Sequence, residues 1–187
     1  MKSKKTLLII ISVVLLVVAV GGLIGSILNN KNPTDESSFY LTIDGNIVEN
    51  DSAFVINETS PLTFKVFASD ENMLDYTVKI YRNEAIDFVY YQSDNVKHFS
   101  DLYNDFSDCF IIEIIDGGFR LTPKASSVEE LLEFVTSGEA ITIDDSTFDS
   151  TQPQFRVIVG KDDTNVCFYL RLTGIYKILL DQKEIVF

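Results

Sequence analysis

Residues 62–81 read LTFKVFASDENMLDYTVKIY, and this stretch decides the fold. Leu62, Phe64, Val66 and Ala68 alternate with Thr63, Lys65 and Phe67. Leu74, Tyr76, Val78 and Ile80 then alternate with Thr77, Lys79 and Tyr81. A period of two puts alternate side chains on opposite faces of a pleated strand, so both runs are expected to be half-buried strands. The polar Ser69, Asp70, Glu71 and Asn72 between them supply the turn.

The same pattern extends in both directions. Upstream, residues 39–43 alternate and lead through Asp44, Gly45 and Asn46 to Ile47 and Val48, a hairpin signature; residues 53–56 follow as a short strand. Downstream, strands are expected at 86–91, 110–115, 119–122, 140–143, 155–159, 166–172, 175–180 and 184–187. Asp116, Gly117 and Gly118 turn the chain between the second and third of these. Two segments read as helices instead. Phe99, Leu102, Tyr103 and Phe106 fall at i, i+3, i+4 and i+7. Ser127 with Glu130 forms a capping box ahead of the stripe Val128, Leu131, Leu132 and Val135, and Gly138 stands at the stop. Many short strands with closely spaced turns predict a mainly β fold, an antiparallel β-sandwich of immunoglobulin-like type carrying one or two short helices.

The N-terminus has a different composition. Residues 1–5 carry Lys2, Lys4 and Lys5, and residues 6–28 contain no charged side chain. A helix of that length reaches about 35 Å, against a hydrocarbon core of about 30 Å. Lysines before it and Asp35 and Glu36 after it orient the N-terminus to the cytoplasm and the rest outside. The expected organisation is therefore a cytoplasmic start (1–5), a transmembrane signal anchor (6–28), a linker (29–38) and an extracytoplasmic domain (39–187). A cleaved signal peptide ending at Ala19, Val20 and Gly21 is the competing reading, but apolar residues continue to Leu28, which favours a retained anchor. Gly21 and Gly25, four apart, form a small-xxx-small pair through which two anchors could pack.

Charge narrows the partners. All 28 acidic residues lie beyond residue 31, and the chain carries a formal charge of −13. Such a surface repels phosphate backbones, so nucleic acid is excluded as a partner. Membrane lipid around the anchor and another envelope protein are the expected partners.

Three groups of residues are candidates for function. Lys65 and Phe67, Lys79 and Tyr81, and Val89 and Tyr91 share the outward faces of three successive predicted strands, and are expected to make an aromatic patch bordered by lysines. The alternative is that the 128–135 helix covers this patch. Cys109 and Cys167 could form a disulfide outside the cytoplasm, but Cys167 shares its strand face with Tyr169 and Arg171, and Cys109 shares its own with Glu113, Ile111 and Ile115, an assignment that favours two unpaired, mostly buried thiols. His98, Cys167 and Arg171 form the third group, the last two sharing one strand face. This trio resembles the Cys/His/Arg set of sortases, membrane-anchored β-barrel transpeptidases. The resemblance implies a Cys167 nucleophile, but residues 163–167 (DTNVC) match the family's Thr-Leu-x-Thr-Cys run only at the cysteine.

Other chemistry lacks a signature. The chain has no G-x-S-x-G elbow, phosphate loop, H-E-x-x-H helix or C-x-x-C pair, so no cofactor is expected. One histidine cannot support an ordinary zinc site. The clusters Asp144, Asp145, Asp149 and Asp101, Asp105, Asp108 lack the glycine and closing glutamate of a calcium loop, and no metal is expected there. The expected role is non-catalytic recognition or assembly at the cell envelope. The alternatives are a sortase-like transpeptidase and a structural subunit associating through its anchor.

Overall fold

The computed structural model describes residues 39–173. The expected start, anchor and linker, the Gly21 and Gly25 pair, and the strands expected at 175–180 and 184–187 lie outside the described residues. Among the described residues no helix is long and apolar enough to cross a membrane.

The described chain is mainly β with antiparallel sheets. It opens on the hairpin β1 (Phe39–Ile43) and β2 (Asn46–Ile47), followed by β3 (Ala53–Ile56) and β4 (Leu62–Ala68). Next come β5 (Thr77–Arg82), then β6 (Val89–Gln92) and β7 (Asn95–His98). The hairpin β8 (Phe110–Ile115) and β9 (Gly118–Pro123) leads into the one α-helix described, α1 (Val128–Val135). β10 (Ile141–Ile143), β11 (Phe155–Lys161) and β12 (Thr164–Leu172) complete it. Asp44 and Gly45, at φ 51° and 81°, form the two-residue loop joining β1 to β2, the positive-φ pair that an Asp-Gly hairpin turn needs.

Two larger sheets result, ordered β2-β1-β4-β9-β8 and β3-β12-β11-β5, with a smaller one ordered β10-β6-β7. The pairings are antiparallel except one: β3 runs parallel to β12, with Ala53 opposite Tyr169 and Ile56 opposite Leu172. The two larger sheets meet through phenylalanines. Phe64 on β4 lies 4.8 Å from Phe168 on β12 between ring centroids, and Phe54 on β3 is edge-on to both. Phe64, Phe119, Phe155 and Phe168 are wholly buried. In a chain without tryptophan, these rings supply most of the bulk between the layers.

Several expectations need correction. The strand expected from Leu74 begins at Thr77, because Asp70 accepts the Asn72 amide at 2.9 Å and winds Glu71–Leu74 into a 3-10 turn. The helix expected over 99–106 is absent. Two 3-10 turns, Phe99–Asp101 and Ser107–Cys109, flank a segment laid along the edge of β5, where Asn104 accepts from the Arg82 amide and the Phe106 amide donates to Ile80. Those tertiary bonds outweigh the helical spacing, and Tyr103, which that spacing would bury, is 80% exposed. β7, not anticipated as a strand, pairs antiparallel with β6.

The helix at 128–135 does form. Ser127 caps it by accepting the Glu130 amide at 3.2 Å, while the Glu130 carboxylate reaches back to Ser126 instead of Ser127. Val128, Leu131 and Leu132 are buried, and Glu129 accepts the Ile143 amide of β10. One buried polar side chain was not legible in the sequence. Gln154 is wholly buried, accepts the Leu172 amide at 2.9 Å and donates to the Gln152 carbonyl, tying the entry of β11 to the end of β12.

Candidate functional site

The strands of the β3-β12-β11-β5 sheet contain no aspartate or glutamate at all, although the chain has 28 acidic residues. The outward face of this sheet follows from the alternation of β12, where Val166, Phe168, Leu170 and Leu172 are buried and Cys167, Tyr169 and Arg171 are not. Register then sets the neighbours. Arg156 on β11 stands directly between Tyr81 on β5 and Tyr169 on β12. In the next row Ile158 stands between Lys79 and Cys167.

This geometry aligns three cations. Lys79 is one row to one side of Arg156, and Arg171 is one row to the other side, on the opposite neighbouring strand. Diagonal neighbours across antiparallel strands lie about 7–8 Å apart at the backbone, so the charges form an oblique line over three strands. Among the described residues none of the three is in an ion pair with a carboxylate. Arg171 donates to the Ser150 carbonyl at 3.4 Å, and the Arg156 Nε is buried without a hydrogen-bond partner. Carboxylate residues stand at the rim. Asp105 bridges to Tyr81, the Asp51 amide donates to the Cys167 carbonyl, and Asp149 adjoins Ser150.

The opposite outer face makes a useful contrast. There Arg120 on β9 and Glu113 on β8 lie opposite each other and pair at 3.1 Å. Tyr40 stacks on Phe67 with centroids 4.9 Å apart, and Lys65 sits opposite Thr42. That face neutralises its own arginine; the β3-β12-β11-β5 face does not.

The residues singled out in sequence are therefore redistributed. Lys65 and Phe67 belong to one large sheet, Lys79 and Tyr81 to the other, and Val89 and Tyr91 to the small sheet, so the six do not share one strand face. The chain crosses between layers after β4, which strand-by-strand reading cannot detect. α1 packs over β10 and the Cys109 turn. Tyr91 instead points its hydroxyl toward Asp144 at 3.5 Å.

His98 ends β7 in the small sheet, where its Nδ1 lies 3.1 Å from Asp87. Cys167 and Arg171 share the outward face of β12, as the alternation predicts, and among the described residues no hydrogen bond or ion pair links His98 to either. Both cysteines are free thiols. Cys109 is buried beneath α1, where its Sγ donates to the Leu131 carbonyl at 3.5 Å and burial pushes the thiol up to about 11. Among the carboxylates weighed for calcium, Asp144 accepts from the Ser146 hydroxyl and amide, and Asp149 does the same with Thr151.

Arg156, Ile158 and Tyr169 were not singled out from sequence. Their alternation within β11 and β12 is visible there, but their adjacency to Lys79 and Tyr81 exists only in the register. Comparison with known proteins finds no matching family, curated protein or solved structure.

Proposed function

We propose that this chain is a membrane-tethered recognition module whose extracytoplasmic domain binds a protein partner through the outer face of the β3-β12-β11-β5 sheet. The observation that carries the reading is that face: solvent-facing aromatic and cationic side chains on strands without a carboxylate, in an acidic chain. Three like charges with no counter-ion among the described residues present a positive line that a partner of opposite charge would complement.

The domain is proposed to be an immunoglobulin-like sandwich. Support comes from strand order. β1-β4-β9-β8 follows the A-B-E-D sheet of that fold, and β12-β11-β5 follows G-F-C. The uncharged stretch at 6–28 supports a retained anchor, N-terminus in, which would hold the domain at the outer surface of the cell membrane.

Site-specific photocrosslinking in native cells tests this. A photoreactive residue at Tyr169 should yield an adduct with another envelope protein in the membrane fraction, and one at Phe67, on the opposite face, should not. Recovery of the full-length chain from the aqueous fraction, or equal adducts from both positions, would overturn the reading.

A further inference from the structure

We infer that the partner presents an acidic, partly apolar polypeptide segment, whose carboxylates lie across the oblique line Lys79, Arg156 and Arg171. This rests on the proposed docking face and adds the chemistry of its occupant.

Charge complementarity is the first argument. The three cations occupy diagonal positions on adjacent strands, with no carboxylate on those strands to neutralise them. Arg156 is half-buried between two tyrosines in register and keeps its Nε sheltered and unpaired. A guanidinium partly withdrawn from water gains more from a carboxylate than an exposed lysine does, because the pair is less screened and two parallel hydrogen bonds can form.

The shape of the charge decides between polyanions. Among the described residues three cations line the face, and Asp51, Asp105 and Asp149 stand close to its rim. An anionic bilayer or a long polyanion would meet the surrounding negative charge as soon as it extended past the line. A short segment places carboxylates on the cations and apolar side chains on Tyr81, Ile158 and Tyr169, while leaving the rim in water. Aromatic and arginine side chains at the centre of a docking site, ringed by polar residues, are the composition of protein interfaces.

The test uses the full-length chain in detergent and a fluorescein-labelled synthetic peptide alternating glutamate with tyrosine, read by fluorescence anisotropy. The expected result is saturable binding that weakens with added salt and falls about tenfold in Arg156→Gln. The charge-swapped variant Arg156→Glu should bind no peptide, and a peptide with glutamine for glutamate should not bind the native chain. Circular dichroism on each variant separates loss of binding from loss of fold; Lys79→Gln, at an exposed position, gives a second variant with little structural risk.

Equal affinity in the native chain and Arg156→Gln overturns the inference. So does binding to phosphatidylglycerol vesicles in preference to the peptide, or concentration-dependent self-association that blocks the peptide. The Tyr169 crosslink separates this failure from that of the docking face. An adduct that survives Arg156→Gln, with no acidic residues in the crosslinked partner peptide, removes the acidic segment and leaves the face. Absence of any adduct removes the face itself.

Discussion

Phe64 and Phe168 lie 4.8 Å apart between ring centroids, their planes inclined at 32°, and through them one large sheet touches the other. Both rings are wholly buried, and Phe54 and Phe119 pack against Phe64 from either side. Truncating such a ring removes its transfer energy and leaves a void that rigid strands cannot close. Phe168→Ala is expected to cost about 3–5 kcal/mol. Phe67→Ala, which removes an outward ring stacked on Tyr40, is expected to cost about 1 kcal/mol. Urea unfolding of the two variants checks the ranking; similar losses would mean that the layers are not held together at Phe168.

The two thiols should differ in reactivity. Cys109 is 1% exposed under α1 and stays protonated near neutrality, because burial raises its thiol to about 11. Cys167 is half-buried on an outward strand face. Since the thiolate is the reactive form, maleimide on the native chain should label Cys167 alone, and labelling of Cys109 should require unfolding. Intact mass after labelling counts the adducts: one native and two denatured are expected. None in either state would reveal a disulfide that this structure does not contain.

Much of the fold was legible because the strands are amphipathic and their turns carry Asp-Gly chemistry. Residues 166–172 fall within the observed strand for that reason, whereas residues 110–115, an isoleucine-rich run with Ile111 and Ile114 exposed, match theirs through β-branched content. The face was legible only in halves. Lys79 and Tyr81 alternate visibly, as do Cys167 and Arg171, yet nothing local indicates that β5 and β12 flank the same central strand. Sequence order groups Lys79 with Lys65, the nearest strand along the chain, whereas pairing through β11 groups it with Arg156. The helix over 99–106 failed for a related reason. Its apolar spacing is real, but Phe99 and Phe106 are buried by segments held in place by β5 and β6, not by a helix of their own.

Acid should weaken the domain through two loops. Asp144 accepts from the Ser146 hydroxyl at 2.6 Å and Asp149 from the Thr151 hydroxyl at 2.6 Å, and these bonds hold both carboxyls below the usual aspartate value of 3.8. A folded value below the unfolded one means that the unfolded chain binds more protons. The contribution of these groups is therefore present above the unfolded value and lost as pH falls through the folded values. The urea midpoint is expected to drop between about pH 5 and about pH 3, and to drop less in a Ser146→Ala, Thr151→Ala double variant. An unchanged pH dependence in that variant would place the acid sensitivity elsewhere.

The end of α1 gives a prediction of opposite sign. In sequence the helix stop reads as Gly138, but the first left-handed residue after the helix is Ser137, at φ 69°, with Gly138 following at 78°. The Gly138 amide donates to the Glu133 carbonyl at 2.7 Å, the long closing bond of a C-terminal motif whose preceding position is normally glycine. A serine there carries a Cβ penalty that glycine avoids, while glycine gives up some entropy in the unfolded chain. The steric term is the larger of the two, so Ser137→Gly should stabilise the domain by about 0.5–1 kcal/mol. Thermal unfolding should record this as a rise in Tm of a few degrees, with α1 content unchanged by circular dichroism. A fall in Tm would mean that the Ser137 side chain contributes more to the folded state than its backbone conformation costs.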